Sequence, residues 1–184
     1  MQHATRTSKG CRILAGAAVV LLVGAGIAAG NGFRNPPESA SGLATPGGYL
    51  VLVEDASSMA FNPAKLAELD GPEAMVSVTY VDGGAEYTDP LGRSVETDNP
   101  TVLLPNVFFA APVGDRDIVA GLAITTPFGQ ATRWPKNSSL RYSAPYFAEV
   151  RLLNFNPTAA FRLGDGWALA VGADIFYSEL TLRQ

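Results

Sequence analysis

Cysteine and histidine each occur once, as Cys11 and His3, and both precede an apolar stretch that begins at Ile13. If residues 1–30 are removed as a leader, the remainder holds neither residue type. That excludes a Ser-His-Asp or Cys-His catalytic unit, a His-ligated metal site and a disulfide framework. Basic residues are scarce too. The 13 Lys and Arg less Arg6, Lys9 and Arg12 leave 10 against 17 Asp and Glu, a formal net charge of −7. A nucleic-acid partner needs a basic surface, so that class is excluded. The acids Glu54-Asp55, Asp82/Glu86 and Asp115/Asp117 lie in turn-like contexts and read as solvated loop acids, not as a paired acid/base site. No catalytic residue, metal or cofactor is expected, and the chain is read as no enzyme.

The leader is legible in its own right. Arg6, Lys9 and Arg12 precede Ile13 to Gly30, which carries no charged or strongly polar side chain. A basic start, an apolar run and the small residues Ala28-Ala29-Gly30 form a secretory signal peptide over residues 1–30. Cleavage after Gly30 or a residue or two earlier fits equally, and a retained membrane anchor is the alternative. Cys11 lies before the apolar run, where a lipidated cysteine would follow it. The glycines of 24–30 imitate a dinucleotide-binding loop. That loop must open a helix, and Asn35-Pro36-Pro37 forbids one.

What the chain has in quantity is alternation. From Leu153 to Leu163 the odd positions are Leu153, Phe155, Pro157, Ala159, Phe161 and Leu163, and the even positions are Asn154, Asn156, Thr158, Ala160 and Arg162. After Gly164-Asp165-Gly166 the pattern restarts with Trp167, Leu169, Val171, Ala173, Ile175 and Tyr177 on one face, with Phe176 an exception on the other. Successive side chains of a strand point to opposite faces, so each run has one apolar wall and one small or polar wall. Runs of about ten residues with aromatics near an end suit a transmembrane β-strand. A half-buried strand of a soluble sandwich also alternates, over about five or six residues. Both readings stand on the hairpin alone.

Residues 31–72 form a separate segment, too irregular for a strand wall and too apolar for a free linker. Tyr49 to Val53 is a candidate strand, Asp55 a helix cap, and Ala64 to Leu69 a short helix after Asn62-Pro63. Strands begin after Pro72: Met75 to Val81 continuing toward Tyr87, Val102 to Val113 with an interruption at Pro105-Asn106, and Ile118 to Thr126. Pro127-Phe128-Gly129 then breaks the pattern, because proline cannot donate to a ladder and glycine permits a bulge. Trp134, Tyr142 and Tyr146 read as interfacial aromatics. Short turns at 114–117 and 164–166 alternate with long connections at 89–101 and 131–145, the loop plan of an outer-membrane barrel.

In that order the residues resemble the N-terminal portion of the outer-membrane long-chain fatty-acid transporter family, which includes toluene and xylene channels. The resemblance runs through Asn31-Gly32-Phe33, Ser39-Ala40-Ser41-Gly42-Leu43, Glu54-Asp55-Ala56, Asn62-Pro63-Ala64, Pro127-Phe128-Gly129, and Asn154-Phe155-Asn156 to Phe161-Arg162-Leu163 with Trp167 and Gly172. It implies an all-β fold: a transmembrane antiparallel β-barrel of fourteen strands with an N-terminal hatch in its lumen, monomeric when complete. Residues 31–72 would be the hatch and residues 73–184 the first strands, about five of them. The implied function is uptake of long-chain fatty acids or aromatic hydrocarbons in the outer membrane of a Gram-negative bacterium, with lateral release into membrane lipid. Phe33 would reach the ligand, Asn62, Pro63 and Ala64 would hold the hatch against the barrel, and Pro127, Phe128 and Gly129 would shape the exit at a kinked third strand.

The departure from the family is length. Five strands fall short of the eight that the smallest transmembrane barrel needs, and open edges are not tolerated in hydrocarbon. The expectation is the front portion of a longer protein or a truncated gene product. A soluble periplasmic β-domain that binds an apolar ligand or partner is the alternative, and it requires both sheet faces to be covered.

Overall fold

The computed structural model describes residues 34–45, 51–98, 101–114, 117–164 and 166–184. The leader and Phe33 lie outside them. Among the described residues nine strands follow a short N-terminal segment: β1 Glu73–Val81, β2 Glu86–Thr88, β3 Ser94–Glu96, β4 Val102–Val113, β5 Ile118–Thr125, β6 Gly129–Arg133, β7 Phe147–Gly164, β8 Trp167–Gly172 and β9 Ile175–Arg183. Seven form one antiparallel sheet. β1 pairs with β4, β4 with β5, and the long β7 pairs with β5 and β6 as well as with β8 and β9. β5 and β6 are thus one interrupted passage, and β8 and β9 another. Counted so, the chain crosses the sheet five times, as the alternation predicts.

The strand limits differ from the sequence reading in three places. β1 stops at Val81 instead of running toward Tyr87, and Tyr87 joins a separate hairpin of β2 with β3. That hairpin is closed by Asp89, whose carboxylate accepts the N–H groups of Leu91 and Arg93, both at 2.9 Å, the usual Asx-turn arrangement. Pro105 does not interrupt β4, because it pairs with Val78 of β1 while its other edge has no strand partner to need its missing N–H. Residues 51 and 52 form a tight 3₁₀ turn where a strand was expected, and residues 49–50 lie outside those described.

One sheet face is covered by the N-terminal segment, and we call it the inner face. A one-turn α-helix, Ala40–Ala44, starts at Ser39, whose hydroxyl accepts the Gly42 N–H at 3.0 Å. No periodicity marks a helix this short. Two 3₁₀ helices follow, Ala56–Ala60 capped by the Asp55 carboxylate and Pro63–Glu68. Their apolar side chains Ala56, Met59, Leu66 and Ala67 form one buried cluster with Phe108 and Ala110 of β4, Val119 and Ala123 of β5, and Ala160 of β7. The wall residues are small for a reason. A Cβ on Gly121 would come within 2.6 Å of Met59 Sδ, so β5 is hollowed where the segment lies against it. Arg162 adds a polar tie, donating to the carbonyl of Ala67.

The opposite face is bare. Along β7 and β8–β9 its row runs Leu163, Trp167, Leu169, Val171, Ile175, Tyr177, with Trp167 74% and Tyr177 62% exposed. Leu153 to Leu163 spans about 33 Å of strand at the usual rise. At a tilt of roughly 40° that is an apolar band about 25 Å tall, the height of a barrel's hydrocarbon-facing belt. Trp167 and Tyr177 mark its two edges as interfacial aromatics. A soluble β-domain would have to cover this row, and no described residue does. Among the described residues no helix is long and apolar enough to cross a membrane.

Candidate functional site

The site begins at the interruption between β5 and β6. β5 ends with Thr125 opposite Asn154, and β6 begins with Gly129 opposite Arg151. Three residues, Thr126, Pro127 and Phe128, therefore face only two, Leu152 and Leu153. The extra residue is a β-bulge, and it sits where a proline cannot donate. Its consequence is topological. Among the described residues, β4 pairs with β5 from Val107 to Val113 but has no strand partner on that edge from Val102 to Asn106, while β6 pairs with β7 alone. The wall forks.

The fork holds a cavity of about 680 Å³ between Leu103, Leu104 and Pro105 on one side and Thr126, Phe128 and Gly129 on the other, with Leu152 and Leu153 behind. That volume lies within the usual range for a small-molecule site. The side chains named are mostly apolar, whereas Arg133, Glu149, Arg151, Glu179 and Arg183 bring charge to the rest of the lining. A second cavity of about 200 Å³ lies on the inner face, between Arg34, Glu38 and Met59 of the N-terminal segment and Pro127, Phe128 and Asn154 of the wall. Phe128 lines both. One aromatic residue thus borders both the space beside the N-terminal segment and the opening in the wall.

Backbone groups released by the bulge are satisfied by two asparagines. Asn106 of β4, 2% exposed, accepts the Thr126 N–H on its Oδ1 at 2.8 Å. The Thr126 hydroxyl also lies 3.4 Å from the Pro105 carbonyl. From the N-terminal segment, Asn35 Nδ2 donates to the Thr126 carbonyl at 2.8 Å and the Asn35 N–H donates to the Pro127 carbonyl at 2.9 Å. The kink is held from the wall by one residue and from the segment by the other.

The inner cavity is polar at its far side. Asp174, between β8 and β9, accepts Asn154 Nδ2 at 2.6 Å and Asn156 Nδ2 at 2.7 Å on the same oxygen. Glu38, 2% exposed, takes Arg34 Nη2 at 2.8 Å on one oxygen, and its other oxygen has no partner among the described residues. Phe176, the exception in the alternation, lines the same cavity.

Pro127, Phe128 and Gly129 stand where the sequence places the break. Asn62, Pro63 and Ala64 form the corner between the two 3₁₀ helices. Asn62 Nδ2 donates to the Val51 carbonyl at 3.2 Å and its own carbonyl accepts the Lys65 N–H at 3.0 Å, so the motif's bonds are local. Wall contact comes from its neighbours Met59, Leu66 and Ala67. Lys65 beside it is paired with Glu68 at 2.6 Å and Glu54 at 3.4 Å; the Glu68 hydrogen bond is the main influence raising its pKa. Sequence reading missed Asn35 and Asn106. Asn106 was visible only as half of an apparent strand interruption, and Asn35 sits in a Pro-rich stretch with no periodicity.

Comparison with known proteins places these features. Residues 21–184 match the model of a family described as outer membrane protein transport protein (OMPP1/FadL/TodX). The long-chain fatty acid transport protein of Escherichia coli K12 is 29% identical over 158 residues, covering 83% of this chain and 35% of that protein. A putative outer membrane protein of Neisseria meningitidis is 30% identical over 138 residues, covering 67% of this chain and 29% of that protein. The chain thus spans about a third of the length of the curated relatives it matches. Among solved structures, a FadL homologue of Pseudomonas aeruginosa superposes with a TM-score of 0.66 at 22% identity, over 83% of this chain and 39% of that one. This likeness shows the fold: the sheet is part of such a barrel.

Proposed function

The chain belongs to the outer membrane protein transport family (OMPP1/FadL/TodX), and from that premise we propose that it forms the hatch and lateral exit of a channel for hydrophobic compounds. The hatch is the segment expected over residues 31–72, of which 34–45 and 51–69 lie on the luminal face, and the ends of the sheet where β4 leads to β5 and β7 to β8 face the periplasm, with the long connections outside. A long-chain fatty acid or aromatic hydrocarbon reaches the cavity beside Met59 and Glu38. It passes Phe128 and leaves at the foot of the fork, beside Leu152 and Leu153 at the edge of the apolar band, into the hydrocarbon of the membrane.

The physical case is the fork itself. Unpaired strand edges are costly in lipid, each buried unsatisfied group by several kcal/mol, so an opening in the wall needs a use and a means of support. Asn106 and Asn35 supply the support. The apolar foot of the fork, lined by Leu104, Pro105, Phe128, Leu152 and Leu153, supplies the use, since an apolar ligand moving sideways there never crosses the polar outer layer. The observation that carries the reading is Phe128 lining both cavities.

The test is uptake of a radiolabelled long-chain fatty acid by cells expressing the gene in place of their own transporter. Phe128→Ala merges the two cavities and is expected to raise the uptake rate severalfold, whereas Phe128→Trp is expected to lower it. Equal rates for both variants and the parent, at equal outer-membrane abundance, would refute the lateral route.

A further inference from the structure

Beyond Leu153 and Tyr177 the outward face changes chemistry. Phe147 of β7 is flanked by Arg133 of β6 and Arg183 of β9, which the register places directly opposite it on either side. Both guanidinium groups lie over the Phe147 ring, each 5.2 Å from its centroid. Lys136 Nζ lies 4.7 Å from the centre of the Tyr146 ring. None of these three cations takes part in the ion pairs found among the described residues. A guanidinium held over a ring and outside any ion pair keeps N–H groups for a bidentate oxyanion. With Trp134 and Asp98 the three cations line a recess of about 290 Å³; Arg133, Phe147 and Arg183 also border the fork cavity, where Glu149 is paired with Arg151 and Glu179 lies opposite Arg151. The recess holds three positive charges against one carboxylate. The sequence around it agrees, because no acid occurs between Asp117 and Glu149 in a chain that is otherwise acidic.

Depth selects the partner. Phe147 lies six residues past Leu153, about 20 Å further along the strand and, at a tilt of roughly 40°, about 15 Å above the apolar band. A simple phospholipid headgroup layer is only about 5–8 Å deep on each side. A phosphate at this height must be carried by a taller headgroup.

We propose that Arg133, Arg183 and Lys136 bind a phosphorylated glycolipid of the outer leaflet, through phosphate groups on its saccharide headgroup. The inference rests on the orientation given under the proposed function, with the long connections outside. It does not depend on transport.

The full gene product, reconstituted in phosphatidylcholine nanodiscs containing rough lipopolysaccharide, is purified and the retained glycolipid is measured by mass spectrometry. The parent protein is expected to retain it, and Arg133→Gln/Arg183→Gln to retain at least about tenfold less, as when charge-assisted hydrogen bonds are removed. Lipopolysaccharide stripped of phosphate with hydrofluoric acid should be lost from the parent to the same degree. Lys136→Gln lies outside the strands and should give a smaller loss in the same direction. It decides the matter if the double variant fails to insert. Equal retention of intact and stripped glycolipid, undiminished retention by the variants, or equal retention of phosphatidic acid would overturn the proposal. Because uptake is not the readout, failure here and failure of the lateral route are separate results.

Discussion

The two ends of the third passage through the sheet make an instructive pair. Near the short turns, β5 is paired along both edges, with β4 on one side and β7 on the other. Its inner face is hollowed by Gly121 and Ala123 to take Met59. Near the long loops the same passage, now β6, is paired along one edge only. The two ends differ by one inserted residue. A closed ladder excludes both lipid and ligand, and one bulge is enough to turn wall into opening, because ladder bonds cannot bridge strands that have diverged.

The comparison is broken most directly by removing the inserted residue. Deleting Pro127 leaves two residues opposite two, so β5 and β6 should become one continuous strand that zips onto β4. Fatty-acid uptake is expected to fall to the background of cells lacking the protein while outer-membrane abundance, judged by heat-modifiable migration, stays normal. Continued uptake would show that the fork is not the route.

The second disturbance acts on the closed end. Gly121→Val would drive Cβ into Met59 Sδ and toward the Phe109 carbonyl at 3.2 Å. Overpacking of this kind costs about 1–3 kcal/mol. The segment 34–69 should loosen from the wall, read as faster proteolysis within it. Leu66→Ala, which removes a fully buried anchor, should act in the same direction by about 2–5 kcal/mol.

A finer contrast separates the two asparagines. Asn106→Leu keeps the volume but leaves the Thr126 N–H unpaired, a cost of about 1–3 kcal/mol that should appear as faster amide exchange at the kink. Asn35→Ala removes only its side-chain bond, leaves its backbone bond to Pro127 in place, and should cost about 1 kcal/mol. If the Asn35 change proved the larger, the kink would be held by the segment and not by the wall.

The smallest effect lies in the outer hairpin. The Arg93 backbone N–H, more than any other partner, holds the Asp89 carboxyl below the usual carboxylate range. A lowered folded-state pKa means that the carboxylate's stabilisation is fully present above the ordinary value and is lost as pH falls through the lowered one. Amide protection over residues 89–93 should therefore survive mild acid and vanish below it, and Asp89→Asn should abolish that dependence.

How far the sequence could be read follows from the range of the interactions involved. The strand pairs on either side of 114–117 and 164–166, the break at Pro127 and the apolar outer row were all legible, because side-chain alternation and proline act over a few residues; the leader expected over residues 1–30 lies outside the described residues. The short helix at Ala40–Ala44 and the separation of Tyr87 from β1 were not. Both depend on single caps and turns, Ser39 in one case and Asp89 in the other, that leave no periodic trace. Asn106 misled for the same reason: beside Pro105 it reads as a breaker, and only the absence of a strand on that edge of β4 makes the pair harmless.

By itself the amino-acid sequence determined that this chain is strand-rich and apolar on one face of its long alternating runs, because strand periodicity is a local property of the backbone. The tertiary structure alone decided that three residues oppose two at the kink, that β4 and β6 part there, and that Phe128 borders two cavities. Those facts are registers between strands distant in sequence, and a register is fixed only when the partners meet.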